Sequence, residues 1–237
     1  MSVADETLPV LSRAAGLELG AYREEHVAER VRRALEREQV DGVQGLIGLL
    51  AADRDARSRF RRSIAVSVSG LFRDPAQFEL LEHELLPALL ADGRRLRVWS
   101  AGCADGSELY SVAMLLERLG ALDGAFLLGS DLLEENLAAA ARGVYGEVTV
   151  PETLRARLRW ERRDLVRDGA PAGAWKVVLC RNLAIYLTAS AKRSLREALA
   201  GSLAPGGILM LGRSERQAEP QKLGLERVAP HVYRRLA

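Results

Sequence analysis

A stretch near the middle of the chain decides the fold, and it reads Leu96-Arg97-Val98-Trp99-Ser100-Ala101-Gly102-Cys103-Ala104-Asp105-Gly106-Ser107-Glu108. Its apolar start, Leu96 to Trp99, is typical of a buried strand, and a turn with two glycines follows. An amphipathic helix is predicted from Ser107 to a stop signal at Gly120. The inward face of this helix is predicted to carry Tyr110, Val112, Leu115, Leu116 and Leu119. Strand, glycine turn and helix form the first unit of a nucleotide-binding α/β fold, in which glycines let the backbone approach a ligand.

The composition is typical of a soluble globular protein. The 237 residues suffice for one large or two small domains, and 48% of them are hydrophobic and 28% charged. No apolar run approaches the roughly 18 residues of a membrane-spanning helix, and the first residues lack the pattern of a secretory signal. Two cysteines, Cys103 and Cys180, suggest no disulfide framework and predict a cytoplasmic protein. A net charge of +2 argues against a strongly polyanion-seeking protein.

Residues 1–62 predict a small all-α domain with a basic surface. Glu24 to Glu38 places Val27, Val31 and Leu35 on one apolar helix face. The basic residues are Arg23, Arg30, Arg32, Arg33, Arg37, Arg54, Arg57, Arg59, Arg61 and Arg62. They form either a solvated helix surface or a docking face for an acidic partner, a nucleic acid or a glutamate-rich protein. The scarcity of aromatic residues among them disfavours nucleic acid.

A linker is predicted over 63–74, because small polar and apolar residues alternate there without a helical period. Asp74 is a good N-cap and Pro75 a good first residue for the helix that follows. This helix is predicted to continue to Leu89, with a kink at Pro87.

Residues 75–237 predict an α/β domain. After the first strand, further strands are predicted at Ala125–Asp131, Arg159–Arg163, Trp175–Cys180, Ile208–Gly212, Leu223–Val228 and Val232–Leu236. A helix over Glu134–Arg142 and a tight turn at Pro205-Gly206-Gly207 complete the pattern. An antiparallel pair at the end of a parallel sheet is typical of the methyltransferase variant of the doubly wound fold. The predicted fold is therefore a Rossmann-like methyltransferase, with a seven-stranded, mostly parallel sheet and a C-terminal antiparallel hairpin.

The carboxyl ends of the predicted strands gather the candidate ligand-binding residues. In such sheets the ligand lies outside these ends, which here carry Gly102 to Gly106, Asp131, Asp164 and Cys180 to Asn182. Asp131 follows the glycine turn by about 25 residues, where an acid accepts hydrogen bonds from ribose hydroxyls. The glycine turn, this acid and the Pro-Gly-Gly together favour S-adenosylmethionine (SAM) over NAD, since the full Gly-x-Gly-x-x-Gly is absent.

Five motifs are more specific than a general nucleotide fold. They are Phe72-Arg73-Asp74-Pro75, Trp99-Ser-Ala-Gly-Cys103, Gly106-x-Glu108-x-Tyr110-Ser111, Cys180-Arg-Asn-x-x-Ile-Tyr186 and Leu203-x-Pro-Gly-Gly-x-Leu-x-Leu-Gly-x-Ser214-Glu215. In this order they resemble the chemotaxis receptor methyltransferases, the CheR family, over nearly the whole chain. The resemblance implies transfer of a methyl group from SAM to glutamate side chains on cytoplasmic chemoreceptor helices, leaving S-adenosyl-L-homocysteine (SAH).

The resemblance also implies which residues hold the cofactor. They are Ser67, Ser69, Arg73, Gly102, Glu108, Asp131, Asp164, Leu165, Arg181 and Asn182. Glu108 is expected to reach the methionine amino group and Asp131 the ribose, while the residues after strands three and four flank the adenosine and methionine ends. The plainer alternatives are a surface ion bridge for Arg73, a helix cap for Asp131, a turn residue for Asn182 and linker serines at Ser67 and Ser69.

Arg73 and Tyr186 are the predicted catalytic residues, with the Tyr186 hydroxyl orienting the acceptor beside the methyl group; its alternative is a core aromatic. A glutamate carboxylate, with a pKa near roughly 4.3, is already an anion at neutral pH and needs no general base. Alignment of the reacting atoms can then contribute roughly 7–11 kcal/mol. His26, His83 and His231 fit no catalytic triad, and no cluster has metal-ligand spacing.

The chain departs from the family pattern at several positions. The usual Asn-x-Thr-x-Phe-Phe-Arg is Ser67-x-Ser69-x-Leu71-Phe72-Arg73, and Asp105, Leu109 and Leu133 replace a threonine, a proline and an acid. Asp105 would place a carboxylate near that of the cofactor, where like charges repel. These changes keep two alternatives open: a degenerate member with a regulatory or binding role, and a methyltransferase acting on a small molecule or nucleic acid.

The family's small three-stranded β-subdomain is expected to be lost or vestigial, because the segment between Tyr145 and Asp164 is short. Some members use that subdomain to hold a receptor's tail peptide, so the chain is expected to act without such a tether. The expected protein is a cytoplasmic monomer. Its basic helical domain is expected to meet acidic, glutamate-rich chemoreceptor helices, with neither nucleic-acid binding nor membrane insertion.

Overall fold

The structure, a computed structural model, describes residues 7–65, 70–93 and 95–236. Its described residues form two compact units. A helical unit comprises residues 7–65 together with Tyr186–Ser194, and a sheet unit comprises the other described residues. The domain boundaries predicted from the sequence, after residues 62 and 74, remain a prediction.

The helical unit is built from four helices, and local sequence accounts for their ends. They are α1 (Thr7–Ala15), α2 (Glu24–Glu38), α3 (Gly42–Ala52) and α4 (Arg54–Ile64). Helix α2 has the bounds predicted from its periodicity, and it buries Val27 and Val31, while Leu35 is half-buried. The Asp53 carboxylate accepts from the N–H groups of Asp55 and Ala56, which caps α4. The apolar faces of these helices form the small core of this unit.

A segment from late in the chain joins the helical unit through backbone bonds. Tyr22 and Leu187 form an antiparallel bridge. The N–H of Arg23 donates to the Tyr186 carbonyl at 3.0 Å, and the N–H of Thr188 donates to the Ala21 carbonyl at 2.8 Å. These bonds satisfy backbone groups that flank the start of α2.

The sheet unit contains a seven-stranded sheet, as the sequence predicts. The strands of the chain are β1 (Arg97–Ala101), β2 (Phe126–Asp131), β3 (Val144–Tyr145), β4 (Val148–Thr149), β5 (Leu158–Arg162), β6 (Trp175–Cys180), β7 (Leu203–Leu211), β8 (Leu225–Ala229) and β9 (Val232–Arg235). The order in the sheet is β5-β2-β1-β6-β7-β9-β8. Neighbours from β5 to β7 pair in parallel, and β9 pairs antiparallel with both β7 and β8. The predicted Rossmann-like methyltransferase topology is confirmed.

The central strands are apolar on both faces because helices cover the parallel sheet. Val98, Val177 and Leu179 belong to a core cluster that includes the buried face of helix α7. The helices after α4 are α5 (Pro75–Leu80), α6 (Leu86–Leu90), α7 (Ser107–Arg118), α8 (Glu134–Arg142), α9 (Glu152–Arg155) and α10 (Ala189–Ser202). A π-helical segment, Leu81–Leu85, joins α5 to α6. It lies just before Pro87, where the sequence predicted a kink.

Two local predictions about this unit are wrong. Leu119 was predicted to face inward, but it follows the last residue of α7 and is 37% exposed. The Pro205-Gly206-Gly207 segment was predicted as a turn before a strand, but it lies inside β7. The pairing register between β6 and β7 shifts at this point, between Trp175 and Val177, so the segment makes a bulge.

The region where the family's β-subdomain was expected to be lost or vestigial contains a small hairpin. Strands β3 and β4 have two residues each and pair antiparallel with each other, outside the main sheet. Val144 and Val148 on this hairpin are 52% and 50% exposed. Among the described residues of the whole chain, no helix is long and apolar enough to cross a membrane.

Candidate functional site

The loop between β1 and α7 lies at the carboxyl edge of the sheet, next to the end of β2. The N–H groups of Gly102 and Cys103 both donate to the Ser130 carbonyl, at 2.8 and 2.9 Å. Gly106 has φ +80°, and a Cβ there would lie 2.6 Å from the Trp160 ring and 2.7 Å from Ala140 Cβ. Packing beneath the loop therefore requires a glycine at position 106, whereas the sequence suggested only approach to a ligand.

Asp131 ends β2 and fixes this loop. Its Oδ2 accepts from the Ala104 N–H at 2.9 Å, and its Oδ1 accepts from the Leu133 N–H at 2.9 Å and from Asn136 Nδ2 at 3.0 Å. Burial raises the pKa of this carboxyl, and the hydrogen bonds oppose that rise because they favour the anion. Asp131 thus organises both the glycine loop and the start of α8.

Glu108, in the first turn of α7, forms a buried pair with Arg181 at the end of β6. Glu108 Oε1 accepts from Ser100 Oγ at 2.7 Å, and Oε2 lies 3.3 Å from Arg181 Nη1. Burial raises the pKa of Glu108, while the Arg181 charge favours its ionised form. The side chain of Arg181 is only 3% exposed, so the pair is desolvated and costly to break.

Arg181 also holds the segment that carries Arg73. Its Nη2 donates to the Arg73 carbonyl at 2.7 Å and to Asp74 Oδ2 at 2.6 Å. The Phe72 N–H donates to Ser111 Oγ at 2.8 Å, which ties the same segment to α7. Asp74 occupies the N-cap position of α5, but its side chain makes no capping bond, contrary to the prediction, because it faces Arg181 instead.

Asp164 and Leu165 follow β5 in a local turn. Asp164 Oδ1 accepts from the N–H groups of Val166 and Arg167, at 3.0 and 3.3 Å. Leu165 is buried. The carboxylate of Asp164 therefore shapes its own loop, and its predicted role toward adenosine stays a prediction.

Asn182 stands in a left-handed conformation, with φ +62°, directly after Arg181. The loop is held by Glu215, which the sequence analysis quoted in a motif but did not assign to the site. Glu215 Oε2 accepts from the N–H groups of Asn182 and Gly212, at 2.7 and 2.9 Å, and Oε1 accepts from that of Ala184 at 2.8 Å. A buried carboxylate with three backbone donors fixes the ends of β6 and β7 against each other.

Three predicted site residues do not belong to the described part of the sheet unit. Tyr186 belongs to the helical unit, where its ring lies 5.0 Å from that of His26 and is half-buried. Ser67 and Ser69 lie outside the described residues. The other predicted residues all belong to the sheet unit.

Asp105 and the two cysteines have structural explanations. Asp105 Oδ1 accepts from the Ser107 N–H at 3.1 Å at the start of α7, where the helix dipole favours an anion. Cys103 and Cys180 are buried and unpaired with each other, and burial raises the pKa of both thiols well above the usual value. They therefore stay protonated and unreactive. Within the described residues, no group of three His, Cys, Asp or Glu side chains could hold a metal ion.

The chemistry of this edge fits SAM. Asp131 accepts from Asn136 and from the backbone N–H groups of Ala104, Leu132 and Leu133, so a ribose hydroxyl would share one of its oxygens with these donors. Glu108, with one donor on each oxygen, can take more from an ammonium group. Arg181 Nε is buried and has no acceptor among the described residues, a feature it shares with several other arginines of the chain.

Comparisons with known proteins show which family the chain is similar to. A family profile described as "CheR methyltransferase, SAM binding domain" matches residues 67–157 and 146–229. The chain is 31% identical to a chemotaxis protein methyltransferase of Listeria monocytogenes, over 91% of this chain and 90% of that protein. It is 29% identical to chemotaxis protein methyltransferase 1 of Pseudomonas aeruginosa, over 86% of each. A solved magnesium protoporphyrin IX methyltransferase from Synechocystis, 18% identical, covers 87% of this chain and 88% of its own with a TM-score of 0.42.

The sequence matches confirm three predictions: the resemblance to the CheR family, an enzyme of the SAM-dependent methyltransferase class, and SAM as its cofactor. The roles predicted for single site residues remain predictions.

Proposed function

Because the chain belongs to the CheR methyltransferase family, we propose that it methylates glutamate side-chain carboxylates on chemoreceptor-like signalling proteins. The observation that carries this proposal is the pair of buried carboxylates, Glu108 and Asp131, at the carboxyl edge of the sheet. Together they offer acceptors for an ammonium group and a ribose hydroxyl, which are two parts of SAM.

The proposed chemistry requires alignment rather than acid–base catalysis. When bound, SAM supplies a methyl group attached to a positively charged sulfur. The acceptor glutamate is an anion at neutral pH, so the protein need not remove a proton from it. Holding the acceptor oxygen in line with the methyl carbon can contribute roughly 7–11 kcal/mol.

We assign the residues these roles. Asp131 binds the ribose and Glu108 the methionine amino group, while Arg181 keeps Glu108 ionised. Arg73 and Tyr186 orient the acceptor, and the remaining predicted cofactor residues, including Ser67 and Ser69, enclose the cofactor.

The helical unit is proposed to dock on acidic receptor helices. Several of its arginines are engaged internally: Arg33 pairs with Glu29, and Arg37 pairs with Glu38. Docking would exchange such pairs for carboxylates of the partner, which favours an adjustable contact over a tight one. We further propose that the protein is a cytoplasmic monomer. We also propose that it needs no receptor tail peptide, because the hairpin β3–β4 has only two residues in each strand.

The first test is calorimetric titration of the purified protein with SAM and SAH. Micromolar binding of both is expected, with a loss of at least about tenfold in Asp131→Ala, because an unfilled ribose contact and a loosened glycine loop act together. Asp123→Ala is the matched control, since Asp123 is 86% exposed and pairs with Arg157. Absence of binding at millimolar ligand would favour a degenerate, regulatory protein.

The second step identifies the bond that is formed. With tritiated SAM and a purified chemoreceptor cytoplasmic fragment, the label should enter the protein and leave as methanol in mild base, as expected of carboxyl methyl esters. Base-stable label, or label found only in a small molecule or nucleic acid, would contradict glutamate methylation while leaving the methyltransferase class intact.

A further inference from the structure

Two adjoining hollows lie in the sheet unit, beside the start of α5 and the turn between β8 and β9. The larger has a volume of about 570 Å³ and the smaller about 350 Å³. Pro230 and His231 line both, so the two hollows meet at the turn between β8 and β9. Hollows of a few hundred Å³ are of the size that takes a ligand side chain or small molecule. We call the two hollows together the arginine groove, after Arg213, Arg216 and Arg227 that line them.

The lining of the arginine groove combines an apolar floor with positive charge. Pro75, Leu80 and Ala229 contribute to the floor of the larger hollow. Arg213 lines the same hollow with a side chain that is 74% exposed and lies 3.7 Å from Asp74, the one acidic residue among the described residues of the lining. Arg216 and Arg227 are exposed at the smaller hollow. An occupant with an aliphatic stem and a terminal anion complements both features.

Unused acceptors add a second kind of recognition. Gln77 Nε2 donates to the Leu211 carbonyl at 3.0 Å, but its Oε1 is buried and has no donor within the described residues. Gln77 is 8% exposed and lines the larger hollow. Gln217, in the lining of the smaller hollow, also has a buried Oε1 that no described residue satisfies. Buried acceptors without donors are rare, and both of these oxygens are withdrawn from solvent, so the glutamine side chains must turn before a peptide N–H can reach them.

The arginine groove adjoins the candidate cofactor site. Asp74 lines the larger hollow and bonds Arg181, which in turn pairs with Glu108. On the other side, His231 Nδ1 lies 2.6 Å from the carbonyl oxygen of Glu215, the residue that fixes the loop after β6. The groove therefore lies next to the loops at the carboxyl edge of the sheet.

We propose that the arginine groove binds a glutamate-bearing segment of the acceptor protein, with Arg213, Arg216 and Arg227 facing its carboxylates. The inference rests on the proposed function and names where its substrate lies. The apolar floor takes the methylene stems of glutamate, and the side chains of Gln77 and Gln217 turn toward the groove to accept from backbone N–H groups of the bound segment. A nucleic-acid backbone would use the arginines but neither of the other two features.

The test uses the full chain and a fluorescein-labelled synthetic peptide of repeating Glu-Ala-Ala units, followed by fluorescence anisotropy. The double variant R216Q/R227Q should weaken binding by about fivefold, and addition of R213Q should bring the loss to about tenfold or more, because each exposed ion pair contributes modestly. A peptide with glutamine in place of each glutamate should bind the native chain more weakly than the charged peptide does, and the triple variant should narrow the difference in affinity between the two peptides.

The matched control is Arg159→Gln, an exposed arginine on β5 at the opposite edge of the sheet. It should leave peptide affinity unchanged. Equal peptide affinity in R216Q/R227Q and the native protein, an equal loss in Arg159→Gln, or tighter binding of a single-stranded oligonucleotide than of the peptide would overturn the inference. So would the absence of any peptide binding to the native chain.

Calorimetry with SAH separates this inference from the proposed function. R216Q/R227Q should bind SAH as the native chain does, since neither side chain contacts the cofactor residues. If SAH fails to bind the native chain, the proposed function fails, and peptide binding still decides whether the groove recognises glutamate. If SAH binds and methyl transfer proceeds with an unchanged KM in the groove variants, the groove inference fails alone.

Discussion

Two carboxylates from each unit are held in opposite ways. In the helical unit, Glu29 and Glu38 bond arginine side chains, and these contacts lower the pKa of each to about 2, through Arg32 first for Glu29 and Arg59 first for Glu38. In the sheet unit, Asp131 and Glu215 bond mainly backbone N–H groups, and burial raises the pKa of Asp131. A backbone donor cannot move without moving the chain, whereas an arginine can exchange partners.

This difference fits the separate tasks that we propose for the two units. The buried carboxylates fix loops at one edge of the sheet, as a site that must hold atoms in line requires. The arginine-paired carboxylates leave a charged surface that can rearrange, as weak docking to an acidic partner requires. Removing a buried charge from the sheet unit should therefore lower the free energy of unfolding strongly. Removing one of the paired surface charges from the helical unit should lower it only slightly.

The largest effect is expected for Arg181→Met. The substitution leaves Glu108 and Asp74 without their shared cation, and breaking such a buried pair costs about 3–5 kcal/mol of unfolding free energy. Urea unfolding followed by tryptophan fluorescence measures this loss of stability in the sheet unit, because Trp99, Trp160 and Trp175 all lie there.

The pH dependence identifies the cause of this loss. Without Arg181 the folded-state pKa of Glu108, already raised by burial, rises further, so the fold takes up a proton more readily than the unfolded chain. The difference between variant and native protein should therefore shrink as the pH falls. Arg213→Met, which removes an exposed arginine 3.7 Å from Asp74, should cost less than about 1 kcal/mol. A similar cost for both variants would refute the contrast between buried and exposed charge.

A smaller loss of unfolding free energy is expected for Glu215→Gln. A neutral amide offers one acceptor oxygen in place of two, and its NH₂ group faces backbone N–H donors. Leaving buried donors unsatisfied should lower the unfolding free energy of the sheet unit by about 2 kcal/mol.

Hydrogen exchange should localise this loss to the loop after β6 and the end of β7. Glu226→Gln is the matched control, because Glu226 pairs with Arg234 at 3.7 Å on the half-exposed strand pair β8–β9. If exchange in the loop is unchanged in Glu215→Gln, the carboxylate does not hold the loop.

Features that depend on neighbouring residues could be predicted from the sequence, whereas contacts between distant residues could not. Helix α2 and strand β6 were predicted with their observed bounds, because apolar periodicity and local breakers are properties of neighbouring residues. Glu108, Asp131 and Arg181 were found as candidates through motifs and strand ends. Their mutual bonds were not, since Arg181 and Asp74 are separated by 107 positions and Ala104 and Asp131 by 27.

Predictions from local sequence were wrong or incomplete where contacts between distant residues determine the structure. The Pro-Gly-Gly segment has turn chemistry, yet pairing of Leu203 with Trp175 draws it into β7 as a bulge. The need for glycine at position 106 depends on Trp160 and Ala140, which belong to other elements. Tyr186 carries no local sign that its segment joins the helical unit.

The smallest effect is expected for Glu38→Gln, in the helical unit. Glu38 bonds Arg59 across α2 and α4 at 2.7 Å, and because the pair is near the surface its loss should cost about 0.5 kcal/mol. Since the folded-state pKa is lowered from 4.5 to about 2, this stability is present above about pH 4.5 and is lost as the pH falls toward 2. Unfolding followed by far-ultraviolet circular dichroism should show the stabilities of the native chain and the variant converging in that pH window.

Glu36→Gln, whose partner Arg32 lies on the same helix, should have about half the effect on stability, because Glu36 links no second helix. A gap that persists at pH 2 would mean that Glu38 acts through packing, and the contrast between the two units would then rest on burial alone.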